Sequence, residues 1–354
     1  MNSKERMIKT LNFEKPDRIG RYDQFWAETS KKYIDELGLP AGINLEEYFD
    51  IDLYKPGVLE EPFPSLVKII SENDSETVQR NGYGMIVRKK KDKASGTDFS
   101  ELLEPIIKEY SDIDKLVFED PHAENRFESV LKVVKDKPDR CVFAKIGGPF
   151  LRTEFLRGEV QYLMDIAEDP KMVIEMAERV NDHLLELGKE AIKRCSLYDT
   201  GVWIFDDMAY NNGPLISPKS FEIIFLPLYK KLVGGLKKAG AKFVLFHSDG
   251  NITPLLDMLI DSGIDGINPI EPKAGMSLVD LKKKYGRKLS FIGGICNSDV
   301  LVNGPAERIE NQVRSIIEVA GDGGVAIGTH SVGVDIPLRN YLVYHETLIK
   351  YGQF

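Results

Sequence analysis

The 354-residue chain predicts a (β/α)8 barrel with an N-terminal cap of helices and hairpins. Three observations carry that prediction. Strand-like and helix-like stretches alternate from Asp139 to the C-terminus, as parallel-sheet proteins require. Polar and ionisable residues recur at the C-terminal end of one predicted strand after another, where barrels of this kind keep their chemistry. No glycine-rich dinucleotide fingerprint follows an early strand, as an open doubly wound sheet often shows; the GGPF and GGIC segments lack the third glycine and the acidic partner. Barrels hold one core at such lengths because their helices form a continuous shell. The whole of 1–354 is therefore expected to be one domain, with residues 1 to about 115 as the cap and about 116–354 as regular βα units.

The opening segment has helical spacing at Met7, Ile8 and Leu11 and stops before Pro16, which pushes its predecessor out of the helical region. Pro56, Pro62 and Pro64 break the pattern that follows. VQRNGYGMIVRKKKD reads as a hairpin turning near Asn81-Gly82, and its basic run Arg88-Lys89-Lys90-Lys91, followed by Asp92, reads as solvated. CVFAKIGG is then a strand, residues 159–193 two helices and GVWIFDD a strand. Further strands are expected in KFVLFHSDG, GINPIEP, LSFIGGIC and GVAIGTHS, with helices between them.

Composition narrows the function. Forty-seven basic against 56 acidic residues give a net charge of −9, which repels nucleic acid and anionic membrane surfaces. Three widely spaced cysteines, Cys141, Cys195 and Cys296, fit reduced thiols of a cytoplasmic protein better than a disulfide framework. No apolar run approaches the ~20 residues that span a bilayer.

The strand ends carry the candidate chemistry. In VLFHSDG, alternation puts His247 and Asp249 on the same side as the chain leaves the barrel, where both could bind one metal ion. The competing reading is a capping aspartate beside a hydrogen-bonded histidine. Glu271 and His330 on later strands favour the metal, because zinc takes three or four N, O or S ligands. Glu271 could instead hold a neighbouring loop amide. Cys296 could supply a thiolate or be a small buried hydrophobe. In GVWIFDDMAYNNG, adjacent acids face opposite ways, so only one of Asp206 and Asp207 should reach the centre. Trp203, Phe205 and Tyr210 could wall a pocket or belong to the core, with Asn212 nearby. His122, His183 and His345 have no polar company and no assigned role.

At these residues the resemblance becomes specific. FHSDGNITPLLDMLIDSGIDGINPIEP, with GGPFLRTEFLRG before it and FIGGICNSDVL and GTHSVGVDIPLRN after it, resembles the uroporphyrinogen decarboxylase superfamily, which includes corrinoid-dependent methyltransferases. The likeness is continuous from about residue 140 and looser before it, where SKERMIKTLNFEKPDRI resembles the family's opening helix. Arg21 and Tyr22 echo an arginine-rich segment that binds carboxylates in the decarboxylases, but its flanks do not match. Phe155 stands where those enzymes place a tyrosine, while His330 matches their C-terminal histidine.

The methyltransferase branch implies a zinc site of a histidine-x-cysteine pair, an acidic residue and a late cysteine. His247 matches the histidine, Asp249 replaces the first cysteine, Glu271 matches the acid, and the late cysteine falls near Thr329-His330. Fewer thiolates make zinc a stronger Lewis acid, which suits an oxygen or nitrogen leaving group. The resemblance thus implies a demethylating methyltransferase, with zinc at His247, Asp249 and Glu271 and a fourth position taken by His330, Cys296, water or substrate, and with His247, Asp207 and His330 catalytic. Its substrate, a small O- or N-methyl compound, would meet Trp203, Asp206, Tyr210, Asn212, Phe150 and Trp26. A partner corrinoid protein would receive the methyl group at a mouth ringed by Trp26 and Tyr54. A second copy of the chain is a further candidate partner. The alternatives are a metal-free decarboxylase-like lyase and a non-catalytic tetrapyrrole-binding protein.

Overall fold

Short runs of apolar and β-branched residues, bounded by glycines and polar turns, build eight parallel strands. They are β1 (Gly20–Tyr22), β2 (Leu53–Tyr54), β3 (Cys141–Gly147), β4 (Gly201–Phe205), β5 (Phe243–His247), β6 (Gly266–Asn268), β7 (Ser290–Gly294) and β8 (Val325–Gly328). The computed structural model describes residues 1–90 and 100–354. In it these strands form one sheet in the order β1-β8-β7-β6-β5-β4-β3-β2, with every ladder parallel. Helices fill the crossovers from β3 onward, among them Pro149–Arg157, Pro170–Arg194, Leu226–Lys238, Leu278–Tyr285 and Ala306–Glu318. The architecture is a (β/α)8 barrel.

Asp52 stitches the seam between β1 and β2. Its N–H donates to the Arg21 carbonyl at 3.0 Å, and its own carbonyl accepts from the Cys141 N–H at 2.9 Å. Its buried carboxylate accepts from Arg6 Nη1 (2.7 Å), Arg18 Nη1 and Nη2 (2.7 and 3.0 Å) and the Arg21 N–H (2.9 Å). The first helix, Ser3–Leu11, is tied into this network through Arg6 and closes one end of the barrel with Met7 and Leu11.

Two barrel strands therefore lie inside the first 115 residues, so the expected boundary does not separate cap from barrel. At three and two residues, β1 and β2 are too short for a period of two to show. The rest of that region does supply added structure: an antiparallel sheet of Lys68–Glu72, Glu76–Arg80, Ile86–Lys90 and Ser100–Glu104 between β2 and β3. Its central hairpin turns over residues 81–85, where the Asn81 carboxamide accepts from the N–H groups of Tyr83 (3.0 Å) and Met85 (3.1 Å). Arg88 is held by Glu76 and Glu101, while Lys91 and Asp92 lie outside the described residues.

The core divides by strand parity. Tyr22, Leu53, Cys141, Phe143, Trp203, Phe243, Leu245, Ile292 and Ala326 pack inside the barrel, and the alternate residues Ala144, Ile146, Val202, Ile204, Val244 and Phe246 pack outward against the helices. All three cysteines are buried and free. No helix of the described residues is long and apolar enough to cross a membrane.

Candidate metal centre at the barrel mouth

The same parity decides what reaches the mouth. One step of two beyond an inward core residue leads from Leu53 to Lys55, from Phe143 to Lys145, from Trp203 to Phe205 and Asp207, and from Leu245 to His247 and Asp249. His330 follows the end of β8 by two residues. The side chains assembled there come from strands as far apart in sequence as β2 and β8, and each is placed by the register of its own strand.

The loop after β5 is pinned amide by amide. The Ser248 N–H donates to the Asn268 carbonyl (3.0 Å) and the Asn251 N–H to the Tyr210 carbonyl (3.0 Å). Between them, the Asp249 N–H donates to Asp207 Oδ1 (3.0 Å) and the Gly250 N–H to Glu271 Oε2 (2.6 Å). Gly250 has φ +78°, and a Cβ there would lie 2.7 Å from the backbone at Ala209 and Tyr210. Only glycine lets the chain pass so close to the β4 loop. Carboxylates on two neighbouring strands thus hold the loop that presents Asp249.

His247 is wholly enclosed, stacked on Phe205 at 4.4 Å between ring centres. Its Nδ1 lies 2.7 Å from Asn268 Oδ1, while Asn268 Nδ2 donates to the Ile292 carbonyl at 2.9 Å. A carbonyl can only accept, so the Asn268 amide is fixed in orientation and His247 Nδ1 must carry the proton. The Nε2 lone pair is left facing the mouth. Asp249 Oδ1 lies 3.4 Å from that atom and 3.2 Å from His330 Nε2, and Asp207 Oδ1 lies 3.7 Å from His247 Nε2. His247 Nε2 and Asp249 Oδ1 are both buried without a hydrogen-bond partner.

Two buried acceptors facing each other call for a shared proton or a cation. The ligand atoms of His247, Asp249 and His330 all lie within 4.8 Å of one another. Burial, then repulsion from Asp207 and Glu271, raises the Asp249 carboxyl to about 8. Burial likewise raises Asp207, lowers His330, and keeps His247 well below the ordinary imidazole range. A dication reverses that balance, since it favours ionised carboxylate and neutral imidazole together. The donor set, two imidazoles and a carboxylate with room for a fourth group, fits zinc.

The other expected site residues are placed differently. Glu271 is turned to the Gly250 amide rather than joined to the trio. Cys296 packs in the outer core, with its Sγ 3.8 Å from Ser298 Oγ. Strand parity would have sent it inward, but Gly293 and Gly294 take φ +132° and +96°, which breaks the alternation. Asp206 faces outward, as one of two adjacent acids must. It accepts from the N–H groups of Phe150 (3.0 Å) and Leu151 (2.6 Å) and from the Tyr229 hydroxyl. It thereby caps helix Pro149–Arg157, whose own N-cap residue, Gly148, has no side chain.

Phe150 is fully buried against Tyr162 and Phe225. Trp203 is inside the barrel, stacked on Tyr22 at 5.5 Å. Tyr210 and Asn212 are exposed beyond β4, and Trp26 is exposed beside the β8 loop, its N–H donating to the Val332 carbonyl at 3.2 Å. Tyr54 is half-buried beneath the Lys137 ammonium.

Three groups at the mouth were not singled out from sequence. Lys145 was visible as the one charge inside an apolar strand, and Lys55 was hidden behind an unrecognised one. Asp23, just past β1, was equally hidden. It is buried and accepts from the Thr329 N–H (2.9 Å) and hydroxyl (2.7 Å) and from the Tyr341 and Tyr344 hydroxyls (both 3.1 Å). Burial outweighs these bonds and pushes its carboxyl up to about 6. The folded chain then keeps a proton that the unfolded chain has released, so stability falls as pH rises from about 4 to about 6, by about 3 kcal/mol. Asp23→Asn should lack that fall, read by comparing urea midpoints of the two proteins across this window.

Comparison with known proteins bears on the family and the fold. The profile of the family described as Uroporphyrinogen decarboxylase (URO-D) matches residues 83–351. A methyltransferase from Methanosarcina mazei superposes with TM-score 0.70 at 15% identity, covering 99% of this chain and 99% of that one, and so shares the fold. A B12-independent methionine synthase from Shewanella sp. W3-18-1, solved in complex with selenomethionine, gives TM-score 0.44 at 12% identity, covering 96% and 94% of the two chains. No match was found among curated protein sequences. The profile spans well over half the chain and takes in six of the eight barrel strands, β3 to β8: this protein belongs to the uroporphyrinogen decarboxylase family.

Proposed function

We propose that the protein is a zinc-dependent methyltransferase that takes a methyl group from a small O- or N-methyl compound and delivers it to a corrinoid carried by a partner protein. One observation carries the reading: two buried, unpartnered acceptors, His247 Nε2 and Asp249 Oδ1, converge with His330 Nε2 at the open end of the barrel. These three residues would hold the ion and leave a fourth position for the substrate heteroatom. Zinc bound there supplies Lewis-acid polarisation of that heteroatom, and the reduced corrinoid supplies the nucleophile.

The chain's own part is positioning. Asn268 fixes the His247 tautomer, Phe205 covers one face of its ring, and Asp207 and Glu271 hold the Asp249 loop. Asp207 also offers a carboxyl oxygen near His247 for the proton taken up by the departing heteroatom. The fold shared with a methyltransferase supports this reading.

A decarboxylase-like reaction on a many-carboxylate substrate finds less support. Arg21, which echoes the carboxylate-binding segment of the decarboxylases, is drawn to Asp50, and its neighbour Arg18 to Asp50 and Asp52 at the seam. Methyl transfer to a reduced corrinoid, assayed over a panel of methoxy and methylamine compounds with zinc-loaded protein, tests the proposal. Transfer that depends on His247 supports it. Zinc binding without transfer from any compound rejects it.

A further inference from the structure

The mouth holds a second set of polar groups, opposite in sign to the first. Lys55 Nζ lies 5.7 Å from the Trp203 ring and 5.9 Å from the Tyr22 ring, and Lys145 Nζ lies 5.3 Å from the Phe205 ring that stacks on His247. Both lysines are half-buried. Among the described residues neither ammonium makes a hydrogen bond or has a carboxylate within 4.0 Å. Beneath them, the Tyr22 hydroxyl and the Trp203 indole N–H are buried without a partner. A cavity of about 320 Å³ opens beside Tyr22 and Lys55, with the carboxylates Asp23 and Glu46 and the Lys137 ammonium also in its wall.

We propose that Lys55 and Lys145 form an anion-binding subsite, so that the methylated substrate carries an oxyanion at one end while its methylated heteroatom meets His247, Asp249 and His330. This rests on the methyl-transfer reading and names its substrate class. Two ammoniums on the inner face of adjacent strands repel each other, and burial adds to the cost. Burial first, then the Lys145 charge, lowers Lys55 to about 8. A purely structural pair would be matched by a contacting carboxylate, yet these lysines rest on aromatic rings.

Aromatic faces flank the space between the lysines and the trio. The donors around Lys55, two ammoniums, an indole N–H and a phenol, match the lone pairs of a carboxylate or sulfonate.

Calorimetric titration of the full chain with para-methoxybenzoate, para-methoxybenzenesulfonate and uncharged methoxybenzene tests this, with and without zinc. At least one anion should bind about tenfold or more tighter than methoxybenzene. Lys55→Met and Lys145→Met should each weaken that anion about tenfold, with circular dichroism verifying the fold, while Lys55→Arg retains most of the affinity. Whichever anion binds identifies the oxyanion. Equal binding of the neutral compound, no binding by any of the three, or unchanged affinity in both methionine variants overturns the proposal. Failure of the metal reading shows separately, as absent zinc binding with the lysine-dependent anion preference intact.

Discussion

His247→Ala is expected to reduce bound zinc from about one ion per chain to nearly none, and methyl-transfer activity with it. The size of the effect follows from the geometry. His247 contributes the one ligand atom that is fully enclosed, tautomer-fixed and without any competing hydrogen bond. Its loss leaves Asp249 and His330, both partly open to water, which alone make a weak site. Asn268→Ala should act through His247 without touching the metal. It frees the imidazole to rotate and change tautomer, at about 10–100-fold in zinc affinity. Plasma emission analysis of metal content, with competition against a chromophoric chelator, reads both effects. An Asn268→Ala loss equal to that of His247→Ala would mean that the fold around β6 had collapsed rather than that a ligand had turned.

The largest effect on stability is expected at Asp52. Removing its carboxylate strands parts of two buried guanidiniums, those of Arg6 and Arg18, and releases the Arg21 N–H at the barrel seam. Arg6 keeps Asp17 and Arg18 keeps the half-exposed Asp50, so the charges are not wholly abandoned. Breaking a buried pair of this kind costs about 3–5 kcal/mol. Asp52→Ala should therefore lower the denaturant midpoint sharply, with Asp52→Asn intermediate because it keeps the shape and an acceptor. A change below about 1 kcal/mol in Asp52→Ala, the usual worth of an exposed pair, would show that the seam does not depend on this carboxylate.

From β3 onward the regular alternation with helices makes every strand legible in the sequence, even β6 and β8 at three and four residues. His247 and Asp249 come at the end of β5, so their shared direction follows from parity alone. The Asp206/Asp207 pair obeys the same rule, with Asp207 inward and Asp206 turned to the neighbouring helix. Parity fails at Cys296, because Gly293 and Gly294 before it take backbone angles that other residues avoid and break the alternation. It is silent for Lys55 and Asp23, whose strands are too short to declare themselves until β3 and β8 pair with them. Glu271 shows a different limit. Its position at the mouth is set by its strand, but the choice between ligand and loop anchor lies with the Gly250 amide, a neighbour that no local pattern reveals.

The central claim, that the mouth binds zinc through two imidazoles and a carboxylate, is tested most directly by X-ray absorption at the zinc edge of stoichiometrically loaded protein. The structure predicts a first shell of nitrogen and oxygen only, at about 2.0–2.2 Å, with imidazole outer-shell scattering from His247 and His330. A sulfur scatterer at about 2.3 Å, which would have to come from a cysteine that the fold buries elsewhere, or a shell without imidazole, would contradict it.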